Sequence, residues 1–457
     1  MTERRAILDF ISRRLGGREL IWGGLRSDDI EAISDLEQLA GSFSIVGGHD
    51  RGGAVPSVDF EDLSGVRPDL DAWDIEDHLD TPAAHEFREA ILTRLAGHTA
   101  LLPYRPSRFL SSLLFARKDR CLDLGLFSAH QAMFDHKPWV ETNVAALGIP
   151  QVPWAYIADE EQLTARRMLS EGAIMLRVSR SSGGAGLVRV DNPDRLAESW
   201  PHRAEAFVSV TPFLDQAIPI NIAATVWHDG VTMRHPSVQL IGIAECTTRP
   251  FGYCGNDFGL AAELDRSTLD SIEASVLALG RWLRRYDYLG TFGVDFLVHQ
   301  GKALFTEINP RFQGSTHASS QLSGEAGESC VILDHLAAML GRDAPPPRPL
   351  CEVARGAPDL AHLVVHWAGA PACIDAAPLV ESLGLQRAHC RTDVVAKPAM
   401  ITETGGVVAR VTARGRMTAS GFDLQEPWRS VLRRWMGATM PGPAQFTDSS
   451  RIHHAAR

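Results

Sequence analysis

The sequence predicts an α/β plus α+β molecule: an open α/β domain first, then a core rich in hairpins, then a small α+β domain. Three observations predict it. Strand-like runs at Glu19-Leu20-Ile21-Trp22 and Ser42-Phe43-Ser44-Ile45-Val46 flank a helical stretch from Asp28 to Leu39, the β-α-β alternation of an open sheet. Further along, pairs of period-two runs close on glycine-containing turns, the pattern of antiparallel hairpins. Pro345-Pro346-Pro347-Arg348-Pro349 then makes a stiff connector, beyond which strand-like runs alternate with turns. With 457 residues the chain is too long for one hydrophobic core, and domains are expected at 1–130, 131–342 and 350–440. The polar tail at 441–457, which holds His453-His454, is expected to be disordered.

Composition narrows the function class. A hydrophobic fraction of 45% and a charged fraction of 22% are those of an ordinary globular protein. The net charge of −11, with no dense Lys/Arg run, argues against nucleic acid or an anionic membrane as the main partner. No apolar run reaches the length needed to span a bilayer, and Asp9 interrupts the apolar stretch that a signal peptide would need. Seven cysteines are dispersed without a close metal-type pair, which reads as reduced thiols and a cytoplasmic location.

In chain order, Gly23-Gly24 and Gly47-Gly48 lack the spacing of a dinucleotide fingerprint and read as turn glycines after their strands. From Ala155 to Gly172 a helix is expected, beginning near Asp159. Ile174-Met175-Leu176-Arg177-Val178 is a strand, and Leu187-Val188-Arg189-Val190 another. Between them Ser181-Ser182-Gly183-Gly184-Ala185-Gly186 frees backbone N–H groups that can approach phosphate oxygens, although a glycine hairpin alone reads equally well as a plain turn. Ala206 to Leu214 holds a further strand with no Glu after it. Arg234-His235 reads as a strand end more readily than as a pair near the pocket. Leu269, Ile272, Val276, Leu279 and Leu283 form one apolar helical face between Asp265 and Asp287, with Ser267 and Asp270 as a capping box.

The stretch Gly293-Val294-Asp295-Phe296-Leu297-Val298 and the run Phe305-Thr306-Glu307-Ile308-Asn309-Pro310-Arg311 carry the chemistry. Glu307 and Asn309 are one residue apart, so a strand points both to one face, and an acid on the neighbouring strand completes a set of hard oxygen donors suited to Mg²⁺. Arg311 adds a fixed positive charge, and together these are the means of phosphoryl transfer. Asp295 faces Glu307 only across a loop with an odd residue count, for which Gln300-Gly301-Lys302 serves. A two-residue turn at Gln300-Gly301 would oppose Asp295 to Thr306 unless a bulge restored the register.

These parts together resemble the ATP-grasp superfamily, over roughly residues 130–340. The resemblance implies an N-terminal pre-ATP-grasp domain, a two-subdomain ATP-grasp core with its glycine-loop lid near 172–215, and Mg²⁺ and ATP as cofactors. Lys137 matches the family's first lysine, expected near the end of a helix, and Ser181, Ser182, Gly183, Gly184 and Gly186 match its phosphate loop. Asp295, Glu307 and Asn309 match the metal ligands, and Arg311 the catalytic arginine. Arg177 stands where a second lysine is usual, and adenine recognition falls to backbone groups where the hinge Glu is missing.

The resemblance further implies a ligase that turns a substrate carboxylate into an acyl phosphate and condenses it with an amine, as natural-product peptide or amide ligases do. Small-molecule carboxylates and amines, amino-acid or peptide-like, are then the partners, and a homodimer is left open. Arg249, in a loop that reads equally as ordinary surface, and Ser315 and Thr316, which open a helix, are candidate substrate contacts. A thioester-forming or carboxylase-type enzyme, a small-molecule kinase and a non-catalytic nucleotide-binding protein are the rival readings.

Overall fold

A computed structural model describes residues 2–48, 55–125, 131–158, 162–179, 183–201, 206–357, 359–384 and 390–439. The N-terminal sheet has five parallel strands in the order Ser57–Asp59, Leu39–Val46, Glu19–Arg26, Thr99–Pro103, Cys121–Asp123. Strands that turn away from a central one in both directions leave a crevice at their carboxyl ends, where open α/β sheets bind ligands. Two local expectations are corrected. Gly23-Gly24 do not turn but continue the strand Glu19–Arg26, where the Trp22 indole donates to the Arg26 carbonyl at 3.2 Å. The stretch after it is a short 3₁₀ helix, Asp28–Ile33, which suits a run with three acids in its first turn and few apolar positions.

A four-stranded antiparallel sheet follows, in the order Ala155–Ile157, Val208–Pro212, Ile174–Arg177, Leu187–Val190. The expected helix here is shorter: Gln162–Glu171 is helical, Ala155–Ile157 is a strand, and the expected start near Asp159 lies outside the described residues. Ala165 and Leu169 of that helix pack on Ile174, Leu176, Val208 and Val210, giving this layer a small core of its own.

The third sheet is antiparallel and has nine strands. Its path runs from Lys302–Asn309 through Gly290–His299, Ile218–Val226, Ser237–Ile241 and Tyr253–Asp257. It continues into Leu360–His366, Val407–Arg414 and Arg391–Val395, so the strands beyond the proline connector extend the core sheet from its edge. The helix Arg266–Arg284 lays Leu269, Ile272, Val276, Leu279 and Leu283 on this sheet as its periodicity predicts. Its cap is Asp265, which accepts from the Thr268 N–H at 2.8 Å, and not the Ser267–Asp270 box.

Long-range polar contacts join the layers. Arg67, fully buried, pairs with Glu61 at 2.7 Å and donates to the Val407 carbonyl at 3.1 Å. Arg410 reaches Asp28 at 3.1 Å and Asp29 at 3.2 Å from the far end of the chain. Arg234 ends its strand as expected, paired with Asp334 at 2.5 Å. No helix among the described residues is long and apolar enough to cross a membrane.

Candidate active site

The hairpin Gly290–His299/Lys302–Asn309 closes on Gln300-Gly301, a two-residue turn with φ of 50° and 73°. Both central residues at positive φ fit the type I′ turn, whose twist matches paired strands. The expected three-residue loop is therefore corrected, and the acids still meet. Pairing runs from His299↔Lys302 to Phe296↔Phe305, a bulge absorbs Thr306, and Asp295 then faces Glu307 and Gly293 faces Asn309. The core requires the bulge. Ala303, Phe305 and Ile308 all point into the apolar cluster with Val294, Phe296 and Val298, and a spacing of two and then three residues fits one face only if an extra residue is bulged out.

On the opposite face Asp295 accepts from Asn221 Nδ2 at 2.6 Å, Asn309 Nδ2 at 3.1 Å and Gln239 Nε2 at 3.4 Å. Burial, and then the Glu307 carboxylate beside it, push its pKa up to about 7. Two facing carboxylates with a carboxamide alongside, in a site that disfavours the Asp295 charge, suit a hard divalent cation, so Asp295, Glu307 and Asn309 fit Mg²⁺ by donor chemistry. Asn221 pairs in register with Asp295. Sequence reasoning missed it, although a lone amide inside the apolar run Ile218–Val226 was the available signal.

Lys137, 9% exposed, sets its Nζ 3.3 Å from Glu307 Oε1. It opens the helix Lys137–Ala146 rather than ending one, which corrects the expected placement. Arg177, expected to bind ATP, lines the cavity with its charge already paired. It is buried at the end of its strand, ion-paired with Glu141 of that same helix, and its guanidinium lies 3.7 Å from the Trp154 ring centroid. Tyr156 donates to the other Glu141 oxygen at 2.6 Å, so the Arg177 charge is matched internally. Neither Glu141 nor Trp154 was expected from the sequence, because their spacing to Arg177 carries no periodicity.

Ser181 and Ser182 lie outside the described residues; Gly183, Gly184 and Gly186 have φ of 55°, 77° and 72°. The loop reaches across to the other domains. A Cβ on Gly184 would fall 1.8 Å from the Phe251 carbonyl oxygen, and one on Gly183 would meet the Asp71 carboxylate. Arg249, beside this contact and expected as a substrate clamp, pairs with Asp69 and Asp71. Thr316 is corrected as well: fully buried, its hydroxyl accepts from the Gln313 N–H at 2.9 Å. Ser315 lines the cavity while donating to Asn221 Oδ1 at 2.7 Å.

The cavity has two lobes that share Lys137, Glu307, Asn309 and Arg311, an outer one of about 530 Å³ and an inner one of about 420 Å³. Gly186 opens onto the outer lobe. Part of the inner lobe is apolar, lined by Trp154, Met175, Phe213, Phe296 and Leu297, and the rest is lined mainly by polar side chains, amides and arginines among them.

Residues 176–315 match the family described as ATP-grasp domain. A formate-dependent phosphoribosylglycinamide formyltransferase of Synechococcus sp. (strain CC9311) is 25% identical over 214 residues, covering 44% of this chain and 50% of that one. The chain spans about half the length of the curated relatives it matches. Among solved structures, N5-carboxyaminoimidazole synthase from Aspergillus clavatus, in complex with ADP and its ribonucleotide, superposes with a TM-score of 0.58 at 13% identity, covering 92% of this chain and 100% of that one. The biotin carboxylase of Campylobacter jejuni, bound to an ATP analogue, gives 0.56 at 12% identity, covering 92% and 91%.

Proposed function

We propose, from the premise that this chain is an ATP-grasp enzyme using ATP and Mg²⁺, that it joins a small carboxylate to an amine with release of ADP and phosphate. The observation that carries the reading is the register-paired Asp295 and Glu307, with Lys137 and Arg311 on the same cavity wall. Magnesium, when bound, neutralises the charge that builds on the transferring phosphoryl group. Lys137 and Arg311 supply the protein's own positive charge to that position. A carboxylate oxygen bonds to the γ-phosphorus as the bridging bond to the β-phosphate breaks, giving an acyl phosphate and ADP. The amine nitrogen then bonds to the acyl carbon, the carbon–oxygen bond breaks, and phosphate leaves with the proton that the amine sheds.

The apolar part of the inner lobe, beside Trp154 and Phe213, suits the adenine ring, and Arg177, held by Glu141, lines that lobe. Gly183, Gly184 and Gly186 close over the triphosphate. None of the named relatives is a peptide ligase, so the natural-product subgroup draws no support from them. A second reading, in which bicarbonate is the activated carboxylate, is favoured by the likeness to two carboxylating proteins. Phosphate release measured against mixed carboxylates, with and without amines, tests the proposal. Release that depends on a carboxylate, with a new condensed mass, is the expected result. A phosphorylated end product would identify a kinase, and release that depends on bicarbonate alone would favour carboxylation.

A further inference from the structure

We infer that Arg26 and Gln313 hold the amine substrate, and that this amine carries an anionic group of its own. The inference deepens the ligase reading and rests on it. Arg26 is the last residue of Glu19–Arg26, at the carboxyl end of the parallel sheet. Its side chain is 12% exposed and lines the inner lobe, together with Asp295 and Arg311. Among the described residues its charge partner is Asp29, at 3.7 Å, beyond hydrogen-bond range. Asp29 is itself shared with Arg410 at 3.2 Å. Arg26 Nε and Nη2 are buried without an acceptor. A guanidinium presents five donors in a fixed fork, and burying two of its three nitrogens without an acceptor is costly unless something supplies the oxygens. A carboxylate or phosphate entering the lobe does so.

Gln313 lies between Arg311 and the helix Thr316–Glu325, on the segment that leaves the paired acids. Its backbone N–H is pinned to Thr316 Oγ1, and its side chain fills the space that the missing Cβ of Gly293 leaves, where such an atom would be 1.8 Å from Gln313 Cδ. Gln313 is 6% exposed, and its Oε1 is buried without a hydrogen-bond partner among the described residues. It is the neutral acceptor that a nucleophilic amine needs, since a carboxylate there would hold the amine protonated and inert. Arg26 and Gln313 line the same lobe as Arg311, so an amine held by the two stands in the lobe that carries Arg311.

The test uses the full chain and three probes: glycine, 2-aminoethyl phosphate and ethylamine. In calorimetric titrations at least one anionic amine is expected to bind at least about tenfold more tightly than ethylamine, as a charge-assisted pair implies. Which of the two it is separates a carboxylate from a phosphate. Arg26→Gln should erase that preference, Arg26→Lys should keep part of it, and Gln313→Leu should weaken every amine. Equal binding of ethylamine, a preference that survives in Arg26→Gln, or no binding of either anionic amine overturns the inference. Should Arg26→Gln fail to fold, Arg26→Lys and the wild-type comparison decide. Hydroxylamine added to ATP and a pool of formate, acetate and succinate reads the ligase proposal separately, because a missing hydroxamate sinks that proposal and leaves the amine titrations to stand on their own.

Discussion

At the scale of single residues, Glu307 is the position whose loss should cost most activity and least fold. It is part-exposed on the polar face of its strand, while Ile308 and Phe305 hold the strand in the core. Glu307→Ala is expected to lower carboxylate-dependent phosphate release by about a hundredfold or more, the scale at which electrostatic contributors act. Its unfolding midpoint should stay near that of the parent. Wild-type rates in this variant would remove the metal assignment. The acid pair was legible in the sequence because strand alternation alone puts Glu307 and Asn309 on one face. The turn was misjudged because the two-then-three spacing of Ala303, Phe305 and Ile308, the mark of the bulge, went unused. His335 gives a second test, on stability. It is fully buried, its Nδ1 accepts from the Thr291 N–H at 3.1 Å, and its Nε2 meets the Leu124 carbonyl at 2.8 Å. Burial lowers its pKa to about 4. A depressed histidine leaves the unfolded chain binding the proton between about 4 and 6.5, so stability is full above the upper value and falls as pH drops through the window. The expected loss by pH 4 is about 3 kcal/mol. Denaturant unfolding of wild type and His335→Gln across that range should show a flatter profile in the variant; parallel profiles would refute it.

At the scale of elements, the hairpin turn and the glycine loop respond to different constraints. A Cβ on Gly301 would meet nothing within 4 Å, so only its φ of 73° disfavours a side chain. Gly301→Val should therefore cost about 1–2 kcal/mol, the left-handed penalty for a side chain. Gln300→Asn should raise the melting temperature slightly, since Asn-Gly is the preferred pair for this turn. At Gly184 both constraints act, and a methyl group would collide with the Phe251 carbonyl. Gly184→Ala should displace the loop and raise the KM for ATP several-fold with little change in melting temperature; an unchanged KM would mean that the loop does not close over the nucleotide. Glycine clusters mislead a sequence reading because one residue type serves unlike ends. Gly23-Gly24 look like a turn and are strand interior, whereas Gly183-Gly184 look like a turn and are one. The strand pattern distinguishes them only once the parallel neighbours at Ser42–Ser44 and Leu101–Pro103 are known.

Across the whole molecule, the layered α/β plan was readable from periodicity and punctuation, while the joins between layers were not. Gly255 pairs with Leu363 and Val66 sits beside Ile401, contacts over more than a hundred residues that no local pattern announces. The same holds for the charges that fasten the layers. Asp28 and Asp29 sit on the 3₁₀ helix after the first strand, His317 on the helix beyond the paired acids, and Arg410 near the chain's end. Arg410 is 1% exposed, and besides its two acids it donates from Nε to His362 Nε2 at 2.9 Å. Removing this guanidinium leaves the two buried carboxylates with only Arg26, 3.7 Å from Asp29, and His317, 3.9 Å from Asp28, among the described residues, and breaking a buried ionic set from one side typically costs about 3–5 kcal/mol. Arg410→Met should lose that much in denaturant unfolding. The argument requires that the loss come from uncompensated acids rather than from packing. Arg410→Met combined with Asp28→Asn and Asp29→Asn should therefore be more stable than Arg410→Met alone. A triple variant as unstable as the sum of its parts would show that the layers are held by shape, with the charges incidental.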